Sequence, residues 1–279
     1  MRNILCVTLI ALLGGCTSTS VTEKYQDKRN DIINVKDKVI EFETGNVLIG
    51  SVSRLYMSNK CLLIADHKSV DKQIHIFNKN DFSYLTSIGN FGEGPEEITV
   101  MGCLAIDEAH HQLYVSDHAK QKIFSYDMDS VMVDSLYKPQ VKTAMNETLF
   151  PSEYQYINDT LSIAVLIKPT STSTFNQFLG RWNMNTGEMI PMKYTHPDIQ
   201  KKRITFAASE KAGIYVECYT RHDLMTICSL DGELLYNIYG PDWDGGNGNK
   251  LQSFGTVMIG NDKIFVSYCG EDYARDSFP

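Results

Sequence analysis

The stretch LLIA, residues 62–65, decides the fold, because short apolar runs of the same kind return along the whole chain. The later runs are LYVS (113–116), SIAV (162–165), IYVE (214–217) and IFVS (264–267). Their third residues stand at positions 64, 115, 164, 216 and 266, so the steps are 51, 49, 52 and 50 residues. A fixed period of this length, with β-branched and aromatic residues alternating with polar ones, is typical of β-propeller blades.

Turn-forming residues surround these runs in the same way each time. Gly, Asn and Asp dominate there because they tolerate positive φ or bond to their own backbone. Two hairpins in each repeat build one four-stranded antiparallel blade. The sequence therefore predicts an all-β fold, a β-propeller with about five repeats. The first turns lie at residues 58–60, 107–112, 158–159, 209–213 and 260–262, and the hairpin tips at 78–81, 127–129, 183–187 and 230–232.

The N-terminus, MRNILCVTLIALLGGC, has the pattern of an export signal. It begins with Met1 and Arg2 and is apolar over residues 4–13, too short for the ~20 residues of a spanning helix. The exit Leu13-Gly14-Gly15-Cys16 resembles the lipobox of bacterial lipoproteins, which implies acylation of Cys16. We therefore expect a signal peptide over residues 1–15, a lipidated polar tether over 16–36 and a propeller domain over 37–279.

The net charge of the chain limits the kinds of partner that it is expected to bind. The formal net charge of −8 becomes about −9 once Arg2 leaves with the signal, which disfavours nucleic acid and offers no polybasic patch for lipid. The expected partner is therefore the membrane, through N-terminal acyl chains.

Five of the seven cysteines remain after removal of Cys6 and lipidation of Cys16, and none form CxxC pairs. Buried thiols are the preferred interpretation, with a Cys218–Cys228 disulfide as the alternative.

A second resemblance lies in the motif Gly92-Glu93-Gly94-Pro95-Glu96 after the first repeat. Together with the lipobox and the repeat period, it resembles the TolB-like six-bladed β-propeller lipoproteins of Bacteroidetes, whose architecture is related to NHL-repeat propellers. The resemblance implies a six-bladed ring that is incomplete at the C-terminus, because the fifth repeat has no third and fourth strands. The expected gap would expose residues 62–64 and 264–266. In the alternative, a strand at 39–43 closes a five-bladed ring.

The segment GNFGEGPEEI, residues 89–98, reads as the connector between blades one and two. Its glycine spacing does not match a dinucleotide-binding loop, and no Lys-Ser or Lys-Thr pair follows for a P-loop. Gly92 and Gly94 let the chain bend back toward the axis, and Pro95 prevents an additional strand pairing. Glu96 and Glu97 are adjacent, so in an extended segment they point to opposite sides and cannot form one acid–base pair.

The candidate ligand-binding residues fall in loops of one propeller face. His67, His118, Arg221 and His222 follow the second strand of their repeats, and Trp243 lies in the loop GPDWDGG (240–246). They either converge on a polar mouth or are ordinary solvated turn residues. An exposed Trp243 would suit stacking on a sugar, and the alternative is a side chain that fills its own loop. No nucleophile motif or clustered ligand set is visible, so we expect no catalytic residue, metal or cofactor.

Two function classes follow. The preferred one is an exported, lipid-anchored binding or interaction module of the cell envelope, at the outer membrane or in the periplasm, with an envelope protein or a glycan as partner. The alternative is an exported propeller enzyme, a lyase or hydrolase acting on a glycan or lactone at the central mouth. Converging His, Asp and Glu side chains at the mouth would favour the enzyme, and an apolar or aromatic patch would favour the binder.

Overall fold

A computed structural model describes residues 21–29, 31–134, 136–199, 203–246 and 251–272. The described chain is a series of antiparallel sheets, preceded by a short strand and a 3-10 turn (Lys36–Lys38). In chain order the strands are β1 (Glu23–Tyr25); β2 (Ser53–Met57), β3 (Cys61–Asp66), β4 (Lys72–Asn78) and β5 (Tyr84–Asn90); β6 (Met101–Asp107), β7 (Gln112–Asp117), β8 (Lys122–Asp127) and β9 (Gln140–Ala144); β10 (Phe150–Asn158), β11 (Leu161–Pro169), β12 (Phe175–Trp182) and β13 (Met189–Pro191); β14 (Ile204–Ser209), β15 (Ile214–Tyr219), β16 (Leu224–Ser229) and β17 (Leu234–Tyr239); β18 (Leu251–Gly260) and β19 (Lys263–Asp272).

Blades one to four are the four-stranded units β2–β5, β6–β9, β10–β13 and β14–β17, and each runs in simple up-and-down order. Blade five contributes the two-stranded sheet β18–β19 within the described residues. The predicted all-β propeller of four-stranded antiparallel blades is therefore confirmed. The repeated apolar runs are the second strands of the blades.

The core is divided among the interfaces between neighbouring blades. Leu63 of blade one packs in one cluster with Val115 and Phe124 of blade two, and Val216 of blade four packs with Val257 of blade five. Strand β3 is covered on one face by blade two and on the other by the segment that precedes blade one, so every residue of β3 is buried. This double burial explains why the runs are continuously apolar instead of alternating.

The connector at residues 91–100 joins β5 to β6 and is held by its own side chains. A carboxylate oxygen of Glu97 accepts the Gly94 N–H at 2.8 Å and fills the space that a Cβ on Gly92 would need. Glu96 points away and pairs with Lys138 at 2.7 Å. Lys120 Nζ donates to the carbonyls of Gly94 and Glu97, at 2.6 and 2.5 Å, which fixes the connector to the loop of blade two.

Part of the span expected to be a tether is structured. Strand β1 lies parallel to β17 at the outer edge of blade four, with Glu23 opposite Asn237. Tyr25 stacks on Tyr239, with ring centroids 4.5 Å apart. The expectation of a free tether over 16–36 is therefore wrong for this strand. A three-residue strand in a polar segment has too few residues for a period-two pattern to show.

The second hairpin of blade two is also different from the prediction. Residues 127–129 were expected to form its tip, but Met128–Val133 is a short α-helix, α1. Asp127 caps it by accepting the Ser130 N–H at 2.7 Å, and Val131 is buried. An Asp before the first turn is a helix start signal as well as a turn signal, and the buried valine selects the helix.

The outer face of blade one is covered by the segment that precedes it. Phe42 stacks on Phe82 at 4.7 Å and meets Phe77 edge-on at 5.9 Å, while Leu62 and Ile64 are only 5% exposed. The expected exposure of residues 62–64 is therefore wrong, and residues 39–43 form no strand that could close a five-bladed ring. On blade five, Phe265 is 36% exposed on the face turned away from blade four, and Met258 is exposed there too.

Candidate functional site

Blades one and two carry the same Asp-His pair at the end of the second strand, namely Asp66-His67 and Asp117-His118. Asp117 is fully buried and accepts four backbone N–H groups, from Thr99, Val100, Ala119 and Lys120, at 2.8 to 3.2 Å. Two of these donors belong to the incoming connector and two to the loop that follows. The carboxylate therefore ties together the two loops of this propeller face.

Asp66 plays the same part in blade one. It accepts the N–H groups of Gly50 at 2.8 Å and Lys68 at 2.9 Å. Burial would raise the pKa of this carboxyl, but the backbone donors, together with that of Ser69, stabilise the anion and hold its pKa below the ordinary value. Sequence reasoning missed both aspartates, although their recurrence two residues after Ile64 and Val115 was the available signal.

The histidines of these pairs connect each blade to the next. His67 Nδ1 donates to the Met101 carbonyl at 3.2 Å, and His118 donates to the carbonyl of Pro151. Burial lowers the pKa of both imidazoles, so both are neutral at pH 7. A neutral ring that donates from Nδ1 keeps a lone pair on Nε2, and neither Nε2 has a hydrogen-bond partner among the described residues.

An ion pair lies near these histidines. Arg54 on β2 and Glu153 on β10 meet at 2.7 Å, which joins the first strands of blades one and three past blade two. Both side chains are about half exposed. The positive charge of Arg54 contributes, after burial, to the lowered pKa of His67. The mouth of blades one to three, defined by these four side chains, therefore contains two neutral imidazoles and one mixed-charge pair.

The other predicted residues gather at blade four. Asp223 is fully buried, forms an ion pair with Arg29 of the N-terminal segment and accepts the Asp242 N–H at 3.0 Å. The Arg29 guanidinium also lies 3.9 Å from the centre of the Tyr268 ring. Three distant parts of the chain meet at this carboxylate. Neighbouring Arg221 is exposed.

Trp243 packs among aromatic rings of the same blade. Its ring lies 4.9 Å from Tyr239, 5.6 Å from His196 and 6.1 Å from His222. His196 is buried, and its Nε2 meets the Tyr239 hydroxyl at 2.9 Å. Burial lowers the pKa of His222, against the nearby carboxylate of Asp244. Trp243 is half-buried against these three rings, which is closer to the alternative of a side chain packed within the fold than to an exposed ring for sugar stacking.

The five predicted ligand residues thus form two groups: His67 and His118 at the mouth of blades one to three, and Arg221, His222 and Trp243 at blade four. In the first group the charge of His67 influences the pKa of His118, and in the second His222 contacts Trp243. The connector residues Gly92, Gly94, Pro95 and Glu96 lie between blades one and two.

A further open space lies at the opposite end of blades one and two. It is a cleft of about 400 Å³ with a mainly apolar lining. Turns β2–β3 and β6–β7 form its rim, where His111 Nδ1 and Asp129 Oδ2 are 2.8 Å apart and Lys60 and Glu108 add charges of both signs. The apolar lining residues are Cys61, Leu63, Leu85, Ile106, Leu113, Met128 and Met132.

Sequence reasoning missed this cleft because it placed every candidate on the loop face and predicted no helix at 128–133. Helix α1 supplies Met128 and Met132, which are four residues apart and so share one helix face. That spacing was the available signal. Methionine is flexible and polarizable, which suits a surface that adapts to different apolar groups.

Cysteine and metal chemistry give little at these sites. Cys61, Cys103, Cys218 and Cys228 are buried thiols that take part in no disulfide, so the preference for buried thiols is confirmed for these four. Burial raises the pKa of the Cys103 thiol to about 12, which makes it unreactive at neutral pH. Within the described ranges, no three His, Cys, Asp or Glu side chains are placed to share a metal ion. Across those same ranges, no helix has the length and apolarity that a membrane span requires.

The stacked four-stranded blades and their repeated loop contacts define a β-propeller. The chain belongs to the family DUF5128, a 6-bladed beta-propeller family, whose family model matches residues 17–179.

Many solved structures are similar to this chain, among them the following two. A protein described as exported, from Bacteroides fragilis NCTC 9343, has 14% sequence identity and a TM-score of 0.52, with 90% of this chain and 75% of that chain covered. A nidogen/laminin complex has 11% identity and a TM-score of 0.50, with 75% and 68% covered. At these identities the likeness shows the fold alone. No curated protein matches the sequence.

Proposed function

We propose that the protein is an exported, lipid-anchored β-propeller that acts as a binding module of the cell envelope. Export and anchoring are supported by the signal pattern over residues 1–15 and by the lipobox cysteine, Cys16. The similar Bacteroides fragilis protein, described as exported, agrees with this location. A protein held at the envelope by acyl chains acts on partners or ligands that reach the same surface.

The binding site is the apolar cleft between blades one and two. Its volume of about 400 Å³ lies within the range of small-molecule sites, and its exposed lining is mainly apolar, with Lys60, Glu108, His111 and Asp129 among its polar residues. This one observation carries the proposal. The ligand has an apolar body that fits among Leu85, Met128 and Met132, and a polar end that meets the His111–Asp129 pair.

The polar residues of the other face support binding at the cleft. Asp66 and Asp117 are saturated with backbone donors, and Asp223 is paired with Arg29. These carboxylates position loops, because their oxygens are already occupied by groups of the protein itself.

A fluorescence titration with N-phenyl-1-naphthylamine, an apolar probe, tests the site. We expect saturable binding to one site, weakened at least tenfold by Met132→Glu, since a carboxylate would enter the apolar lining. Val133→Glu is the matched control, because Val133 is the next residue of α1, is 87% exposed and lies outside the cleft lining. Equal affinities for both variants and the wild type would contradict the proposal.

The enzymatic alternative rests on His67 and His118. Their neutral imidazoles have Nε2 atoms that are buried without a hydrogen-bond partner among the described residues, so these atoms keep the lone pair that a general base needs, and the Arg54–Glu153 pair lies near them. We would assign a lyase or hydrolase activity on a lactone or glycan to this mouth if the wild-type protein turns over members of a lactone and aryl-glycoside panel and His118→Gln does not. Turnover that survives His118→Gln would exclude the mouth as its site.

A further inference from the structure

The N-terminal segment is fixed to blade four by both backbone and side chains. The Asn237 N–H donates to the Thr22 carbonyl at 2.8 Å, and the Gln26 N–H donates to the Tyr239 carbonyl at 2.9 Å. The Glu23 carboxylate accepts the Tyr239 hydroxyl at 2.5 Å. Strand β1 is therefore an integral fifth strand of the blade-four sheet.

The contacts continue past the strand. Arg29 ends this segment with its ion pair to the fully buried Asp223, and its guanidinium stacks on Tyr268 of blade five. A buried carboxylate that lost this cation would be left with a high desolvation cost, so the pair opposes release of the segment. The chain is thus held to the propeller from residue 22 to residue 29.

Docking of β1 shortens the link to the lipidated cysteine. Seven residues along the chain separate Cys16 from Glu23, a reach of about 25 Å at full extension, whereas a free link to residue 36 would reach about 70 Å. We infer that the outer edge of blade four, closed by β1, is the surface that faces the lipid bilayer. The inference rests on the proposed lipid anchor and adds an orientation to it.

The chemistry of this edge fits a membrane interface. Val21 is 79%, Tyr25 70% and Tyr236 42% exposed, so apolar and aromatic groups are presented to the outside. The Lys24 ammonium lies 5.9 Å from the centre of the Tyr236 ring. Tyrosine is enriched where hydrocarbon meets water, and lysine can place its charge among headgroups while its stem covers apolar surface.

The fold provides a matched position on the far side. In a six-bladed ring, blade one lies opposite blade four, three blades away. Tyr84 begins the outer strand of blade one and is 47% exposed, close to the 42% of Tyr236 on the outer strand of blade four. The two tyrosines differ mainly in their distance from the anchor.

The test uses the full-length lipidated protein in phosphatidylcholine vesicles that contain a headgroup nitroxide lipid. A fluorophore is attached at Tyr236→Cys or Tyr84→Cys in a Cys269→Ser background, because the other four thiols of the mature domain are buried. We expect quenching at least threefold stronger at position 236 than at 84. Equal quenching, or stronger quenching at 84, would overturn the orientation.

Two further variants separate the causes. Cys16→Ser tests the anchor alone, because it removes the thiol that carries the lipid. If the wild-type protein floats with vesicles no better than Cys16→Ser, the proposed lipid anchor is wrong and the inference falls with it. Glu23→Ala combined with Arg29→Ala releases β1, so it should still float but lose most of the difference between positions 236 and 84. Retention of the full difference in this variant would also overturn the inference.

Discussion

Removal of the Asp117 carboxylate is the sharpest perturbation of the propeller face. Asp117→Ala would leave the four backbone N–H groups of Thr99, Val100, Ala119 and Lys120 without their acceptor. A buried donor without a partner costs about 1–3 kcal/mol, and some of these four can turn to water. We therefore expect a loss of about 3–5 kcal/mol in the free energy of unfolding.

Asp117→Asn should cost less. It retains one carbonyl oxygen but places an amide NH₂ against a backbone donor, so the expected loss is about 2 kcal/mol. The matched control is Asp231→Ala on an exposed hairpin tip, whose ion pair with Arg181 is 3.4 Å long and worth less than about 1 kcal/mol.

Urea unfolding at pH 7, followed by far-UV circular dichroism, gives the free energies by linear extrapolation. At this chain length each 1 kcal/mol lowers the melting temperature by about 2–4 °C, so Asp117→Ala should melt on the order of 10 °C lower. If the free energy of unfolding of Asp117→Ala stayed within about 1 kcal/mol of the wild-type value, close to that of the Asp231→Ala control, the Asp117 carboxylate would not stabilise these loops.

Three further predictions concern titration, lipidation and packing. Burial lowers the pKa of His67 and His118 in the folded protein, so the unfolded chain binds more protons below about pH 6.5. The melting temperature should therefore fall as the pH is lowered from 7.5 to 5.5. The fall should be smaller in a variant that carries both His67→Gln and His118→Gln. Cys16→Ser should abolish incorporation of a fatty-acid analogue in cells, and equal labelling would contradict lipidation. Trp243→Ala should lower the free energy of unfolding by about 2 kcal/mol through lost contact with Tyr239 and His196, and an unchanged urea midpoint would contradict the packing.

The fold could be predicted from the sequence because equivalent strands of successive blades need the same pattern of apolar residues. Second strands such as β3 and β7 are covered on both faces, so the runs at residues 62–65 and 113–116 are continuously apolar and are separated by one repeat period. The connector motif was visible for a similar reason, because the bend at Gly92 and Gly94 has few other solutions.

The features that break the repeat could not be predicted in this way. Strand β1 is too short to show a pattern and depends on Tyr239 and Asp223, more than 190 residues away in sequence. Helix α1 replaces a hairpin tip because Val131 finds a buried site, which is a property of the tertiary packing. The cleft depends on this helix and on the packing of two blades, since it lies between blades one and two and takes Met128 and Met132 from α1.

The contacts of the site residues could be predicted only in part, because they also depend on tertiary packing. His67 and His118 were correctly placed in equivalent loops, but only the three-dimensional contacts show that they reach Met101 and Pro151 of the following blades. A histidine in a polar loop looks the same in sequence whether it binds a ligand or a carbonyl of its own chain.

Methionine-methyl NMR detects ligand binding at the residues that line the apolar cleft. On titration with N-phenyl-1-naphthylamine, we expect saturable shifts of the Met128 and Met132 methyl signals, assigned through Met→Leu variants. Met258 serves as the control, because it is exposed on blade five and lies outside the cleft. Shifts confined to Met258, or equal shifts at all three methyls, would show that the cleft is not the binding site.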